Sequence, residues 1–463
     1  MKRKIFATVL CVALLSGCFH IGAQMADTTP TRVVSTFFGK GAQGFHWYTT
    51  VPAPSEVLVN GTIFVGTSEE FQGGYAHRVV AEGLAPGSYS YDIAGVQGTF
   101  AVDPGPGTGF SFAVIADVQA KTREEYDAAA QVLRAAGTNN AFSVNLGDFT
   151  DDCDNAQWDT YFDAFAGTHL SGTLVPAAGN HDGNLKWNWF RNMFTLKEPK
   201  NFLSNLTGVY YSFDYGDAHF AVLNTNDMYP MSQQQRNWLL NDMHQSDAKW
   251  KILLMHRAAY SAGKNINKPD TLIMRRLLLP IIDETGIDLV LAGHDHMYYR
   301  SQPVKNDQIA GTIGSLNLPA GALDYEDAYM DPAGAVHVLP NTAGPKRYQV
   351  NKSAITPILE VARIAEQPNL PVYSVVAIED DTLEYKAYTY DAGAPAETAP
   401  VRPLESFVIQ KTNFFPPDPA YRPLPTDALR TLPGQVWSTL KSVAVLLFAD
   451  YIGTLLPQAL GLG

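Results

Sequence analysis

Phe110-Ser111-Phe112-Ala113-Val114-Ile115-Ala116-Asp117-Val118-Gln119 is an apolar run that breaks on a carboxylate and, two residues later, an amide. With so few alternating polar residues it reads as a strand covered on both faces, not one with a face open to water. The same form returns four times. Ser143-Val144-Asn145-Leu146 leads into Gly147-Asp148-Phe149-Thr150-Asp151, and Leu174-Val175-Pro176-Ala177 into Gly179-Asn180-His181-Asp182. Ile252-Leu253-Leu254-Met255 leads into His256, and Leu289-Val290-Leu291-Ala292 into Gly293-His294-Asp295-His296. Strands are thus expected at 110–116, 142–147, 173–178, 251–255 and 287–292, with two more at 209–214 and 218–224. Between them lie helical stretches at about 123–136, 156–166, 232–245 and 271–285, the third opening on Ser232 and Gln235 as a capping box. A hairpin is read at 373–378 and 382–390 around Asp380-Asp381, and a last strand at 407–412. The alternation predicts a layered α/β domain over residues 110–412.

Ligand sites in open α/β sheets lie beyond the carboxyl ends of strands. Five polar groups at five such ends can therefore converge. Taken singly, each is an ordinary turn or a core histidine; their recurrence in one structural position carries the reading. Carboxylate, amide oxygen and imidazole are donors for hard or borderline cations, and there is no thiolate cluster to suggest a structural zinc or an iron–sulfur group. Asp117, Gln119, Asp148, Asn180, His256, His294 and His296 are too many donors for one ion. They suit two ions that share a carboxylate, an arrangement that can activate a water and stabilise an in-line displacement.

The rest of the chain supports this frame. Residues 31–102 contain short strands separated by turn signals such as Asn60-Gly61 and Pro86-Gly87, which predicts a small β-sandwich. Asp103-Pro104-Gly105-Pro106-Gly107-Thr108-Gly109 is a breaker-rich linker. Lys2, Arg3 and Lys4 precede the apolar stretch Ile5 to Leu15, as in a secretory signal of residues 1–18, and residues 19–30 read as a tether. Only Cys153 then remains as a thiol in the mature chain, where one cysteine cannot close an internal disulfide. A net charge of −13 without a basic block argues against nucleic acid as a partner. Residues 413–463 read as a proline-rich segment followed by an apolar stretch at 436–456, whose spacing suits a helix docked on the domain or, as the alternative, one lying on a membrane surface or a partner.

Two resemblances follow from these residues. Leu15-Ser16-Gly17-Cys18 resembles a bacterial lipobox, which implies a lipid on Cys18, membrane attachment and, with Phe19 next, an outer-membrane lipoprotein of the bacterial cell envelope facing the periplasm or the cell surface. The five motifs in their order resemble the calcineurin-like metallophosphoesterases, in the branch similar to purple acid phosphatases with a fibronectin-like N-terminal domain. That resemblance implies a β-sandwich flanked by helices and a centre of two metal ions, iron, zinc or manganese. Asp117, Gln119, Asp148 and His296 would hold one ion, and Asp148, Asn180, His256 and His294 the other. It further implies that His181 serves the leaving oxygen of a phosphate ester and that Asp151 orients His181. Asp151 stands where the purple enzymes carry their colour-giving tyrosine, and Lys264-Asn265-Ile266-Asn267 stands where plant-type relatives carry substrate-binding histidines. The expected activity is phosphate-ester hydrolysis, monoesters ahead of diesters. The alternative from another class is a surface binding protein with a structural metal site.

Overall fold

The computed structural model of the protein describes residues 28–183, 189–199, 209–226, 231–311, 313–314, 327–353, 356–394, 400–414 and 417–426. The expected signal peptide, most of the tether and the apolar stretch at 436–456 lie outside them. No helix among the described residues is long and apolar enough to cross a membrane.

Among the described residues two large sheets pack face to face. The strands Phe110–Ile115, Phe142–Asn145 and Thr173–Pro176 run parallel at the middle of a twelve-stranded sheet. Ala218–Val222, Trp250–Arg257, Leu289–Gly293 and Val336–Pro340 run parallel in a seven-stranded one. Phe112, Val114, Val144 and Leu174 meet Phe220, Ile252, Leu254 and Leu291 in one buried core between them. The Phe112 and Phe220 rings, for example, meet edge to face with centroids 5.4 Å apart. Leu253, Met255, Val290 and Ala292, on the other face, pack under helices Gln233–Gln245 and Pro269–Thr285. Both faces of the inner strands are covered, which is why their sequences are apolar without alternation. Helices Arg123–Ala135 and Asn155–His169 cover the larger sheet. The first begins at a capping box of Thr122 and Glu125.

The structure corrects the sequence reading in four places. The Ser232 hydroxyl accepts from the Gln235 N–H at 3.1 Å as expected of a cap. The Gln235 amide, however, exchanges hydrogen bonds with the Asn224 backbone, tying the helix to the strand end before it. The final strand runs Val401–Gln410, not 407–412; it admits Pro403 at a register shift opposite Ala387 and Tyr388, where the ladder tolerates a missing donor. His256 lies inside Trp250–Arg257, because that strand continues past the apolar run. Finally, the N-terminal strands form a small sandwich around Phe45, Trp47, Val57, Tyr91 and Phe100, but one of its sheets does not end at residues 103–109. Thr31–Gly39 pairs in parallel with Thr173–Pro176 through Ser35 and Thr173, so one sheet runs through both regions. Arg32 reinforces the join, its Nε 2.7 Å from Asp159 on helix Asn155–His169.

Candidate metal centre

The parallel strands of both sheets end on the same side, and their following turns carry the polar groups. Those turns come unusually close. A side chain at Gly179 would place its Cβ 2.1 Å from Asp148 N, and one at Gly147 would meet Gly179 N and His256 Nδ1 at 2.7 Å. Glycine is thus required by approach at both positions, and Gly147 also has φ +98°. Asp117, Gln119, Asp148, His294 and His296 all have positive φ. Non-glycine residues held in that region cost free energy, and they cluster where a site over-determines them. Asp182 does much of the holding. It is fully buried, and its carboxylate accepts from the N–H groups of Asp148 (2.7 Å), Phe149 (2.6 Å) and Gly179 (2.8 Å).

Two donor groups result, and Asp148 belongs to both. One is Asp148, His256 and His294; the other is Asp117, Asp148 and His296; within each group the donor atoms lie within 4.8 Å of one another. His256 Nε2 is 3.2 Å from Asp148 Oδ2, 3.1 Å from Asn180 Oδ1 and 3.2 Å from His294 Nδ1. His296 Nε2 is 3.3 Å from Asp117 Oδ1. The tautomers follow from the far side of each ring. His256 Nδ1 donates to the Leu146 carbonyl at 2.9 Å and His296 Nδ1 to the Lys346 carbonyl at 3.1 Å. A carbonyl can only accept, so each Nδ1 carries a proton and each Nε2 is the atom left to offer a lone pair to a metal ion that displaces any proton there. On the remaining side, Arg257 Nη1 sits 3.3 Å from His294 Nε2 and 2.6 Å from Asp270.

The electrostatics ask for a cation. Burial pushes the Asp148 carboxyl up, but the surrounding histidines, His256 foremost, outweigh it and hold the group below the usual carboxylate range. Burial pushes His256 down, while Asp148 and Asp117 raise it to about 9. Two buried carboxylates at this point thus draw in positive charge, for which proton and metal ion compete. Gln119 supplies a further sign. Its side-chain oxygen is buried with no hydrogen-bond partner among the described residues, a costly state that a bound cation would relieve. The donors fit a pair of metal ions that share Asp148.

Of the donors expected from the sequence, Asp117, Asp148, Asn180, His256, His294 and His296 come together, Gln119 is tied to them through its main-chain N–H on the Asp148 carbonyl at 2.8 Å, and His181 stands at their edge. Its N–H donates to Asp148 Oδ1 at 2.9 Å, and its ring is about a third exposed. The expected partnership with Asp151 takes another form. His181 Nδ1 contacts the Asp151 carbonyl oxygen at 2.5 Å, and the carboxylate stays 3.8 Å away. That carboxylate is taken by two ammonium groups, Lys121 at 2.7 Å and Lys346. Sequence reasoning missed Asp182, Arg257, Lys346 and Tyr348. Asp182 and Arg257 adjoin the motifs and could have been noticed there. Tyr348 stacks on His296 with centroids 4.4 Å apart, but it lies with Lys346 in a loop with no motif of its own.

Comparison with known proteins gives a consistent picture. Residues 110–298 match the family model for calcineurin-like phosphoesterases. An uncharacterized protein of Mycobacterium tuberculosis is 24% identical over 279 residues, covering 53% of this chain and 51% of that protein, so the chain spans about half that relative's length. Acid phosphatase type 7 of Mus musculus is 25% identical over 377 residues, covering 70% of this chain and 81% of the mouse protein. Among solved structures, a purple acid phosphatase from yellow lupin seeds superposes with a TM-score of 0.65 at 14% identity, covering 83% of this chain and 75% of the lupin chain. PhoD superposes with a TM-score of 0.56 at 12% identity, covering 92% of this chain and 99% of its own. These likenesses of structure speak for the fold.

Proposed function

We propose, from the match of residues 110–298 to the calcineurin-like phosphoesterases, that the protein hydrolyses phosphate esters at a two-metal centre, with monoesters preferred to diesters. The observation that carries the reading is that Asp148 is common to both donor groups. A structural site for one ion needs no shared carboxylate and no imidazole kept beside it. In our reading Asp117, Gln119, Asp148 and His296 hold one ion, and Asp148, Asn180, His256 and His294 the other; iron, zinc and manganese suit these donors. Bound there, such ions supply Lewis-acid chemistry, lowering the pKa of a water and neutralising phosphoryl charge.

The chain's own residues do the rest. The Nδ1 hydrogen bonds of His256 and His296 keep each Nε2 turned inward, and the Asp182 staple keeps Asp148 between the two groups. His181 lies outside the donor groups but beside Asp148, with its ring partly exposed, and in our reading it stabilises or protonates the leaving oxygen. The name of the mouse relative, an acid phosphatase, favours monoesters. We further propose that Cys18 is lipidated and holds the enzyme on the bacterial envelope. The lipobox pattern supports this, and its test is whether Cys18→Ser abolishes acylation.

The test of the activity is a metal-replete preparation assayed on phenyl phosphate and bis-phenyl phosphate, with elemental analysis of the same sample. Two metals per chain and faster monoester turnover are expected. A metal-replete protein inactive on a broad ester panel would favour a binding protein with a structural centre.

A further inference from the structure

Lys346 touches both halves of the site, each through a different atom. Its carbonyl oxygen accepts from His296 Nδ1 at 3.1 Å, which sets the ring of a metal donor. Its ammonium is paired with Asp151 Oδ1, while Lys121 Nζ lies 2.7 Å from Asp151 Oδ2. Each oxygen of the Asp151 carboxylate therefore faces a cation. On the other side of the same residue, the Asp151 N–H donates to Gln157 Oε1 at 2.8 Å. Held at both ends, Asp151 presents its carbonyl to His181 Nδ1 at 2.5 Å.

That arrangement needs an explanation, because a carboxylate is the stronger acceptor. The Asp151 carboxylate is only 3.8 Å from His181 Nδ1, and with its cations removed it would compete for that N–H. Lys121 is the looser of the two cations: it is half exposed and is shared with Asp152 at 3.0 Å. Lys346 is more enclosed, and its backbone is pinned by His296 and, through the Tyr348 N–H, by the His296 carbonyl at 3.1 Å. We infer that Lys346 is a positioning residue for His181: it draws the Asp151 carboxylate away, leaves the carbonyl as the imidazole's seat, and registers that seat against the metal donor His296. The inference rests on the reading of His181 as the group that serves the leaving oxygen.

The test is Lys346→Met in the full metal-loaded chain, with Lys346→Arg as the conservative variant. The His296 contact is to a main-chain carbonyl, so metal content is expected to stay at the wild-type level. kcat on an alkyl phosphate, a poor leaving group, should fall about tenfold, and on 4-nitrophenyl phosphate by less than about threefold. Lys346→Arg should restore most of the loss. In a His181→Ala background, Lys346→Met should cost less than about twofold, because the two changes act on one path. Equal loss on both esters, a full loss in the His181→Ala background, or loss of metal would each overturn the inference. A crystal structure of metal-loaded Lys346→Met gives a readout independent of turnover. The Asp151 carboxylate should come within hydrogen-bond distance of His181 Nδ1, and an unchanged carbonyl contact would refute the role. If the wild type turns over no ester, the proposed activity falls, and this structural comparison still decides the inference.

Discussion

Replacing Asp182 by asparagine should weaken the fold and the metal centre together. Asp182 is fully buried, and both of its oxygens accept main-chain N–H groups: Oδ2 from Asp148 at 2.7 Å and Gly179 at 2.8 Å, Oδ1 from Phe149 at 2.6 Å. Asparagine keeps the shape but turns one of these acceptors into a donor. At least one buried N–H then faces another N–H. A buried group left unpaired costs about 1–3 kcal/mol, and a hydrogen bond to a charged group contributes about 1.5–3 kcal/mol. Part of this is offset: burial and the Asp148 charge push the Asp182 carboxyl up to about 7, and a neutral amide escapes both. A net loss of about 2 kcal/mol is expected, a sizeable share of the roughly 5–15 kcal/mol by which a protein is stable. Because the lost bonds hold the turns bearing Asp148 and Asn180, metal affinity should fall about 10- to 100-fold, as it does when outer partners of metal ligands are removed. Urea unfolding of the metal-free protein reads the first effect, and metal titration reads the second. An unchanged urea midpoint combined with wild-type affinity would show that Asp182 is not what holds these turns.

Asp148→Ala should lose both metals, because Asp148 is common to the two donor groups, whereas His256→Ala should mainly empty one; retention of both ions by Asp148→Ala in elemental analysis would disprove the shared carboxylate. His181→Ala should lower turnover about 10²–10⁴-fold with metals retained, the typical contribution of a general acid, and the loss should shrink for a nitrophenyl ester that needs little protonation. Equal loss on good and poor leaving groups would assign His181 to phosphate binding. His219 provides a pH test away from the centre: it sits 2.7 Å from Asp214 and 2.8 Å from Asp242, and although burial pushes it down, these carboxylates raise it to about 9. A histidine whose folded pKa lies above its unfolded value stabilises fully below about 6.5 and loses that contribution as pH rises through about 9, so His219→Gln should cost about 2 kcal/mol in mild acid and much less above that range. The figure is kept low because Asp214 is largely exposed and its charge is screened. A penalty that does not change with pH in urea unfolding would remove the ion pairs from the account.

The chain by itself pointed to the residues that the fold brings together at the proposed centre. Each donor follows an apolar run short enough to be a strand, and donor type and strand end are local properties, readable within about ten residues. Asp117, Asp148, Asn180, His256, His294 and His296 meet for that reason. Local reading stopped where contacts between distant segments decide. The pairing of Ser35 with Thr173 that carries one sheet through both regions depends on register between strands far apart in the chain, and no periodicity encodes it. The last strand starts at Val401, ahead of the 407 read from the sequence, because it accommodates Pro403 where its partner strand shifts register. The orientation of Asp151 shows the difference most clearly. Its place three residues after Asp148 pointed to a carboxylate that orients His181, and His181 does dock on Asp151. Which oxygen it meets was decided by Lys121 and by Lys346, 195 residues further on, because two ammonium groups compete for a carboxylate more strongly than one imidazole N–H.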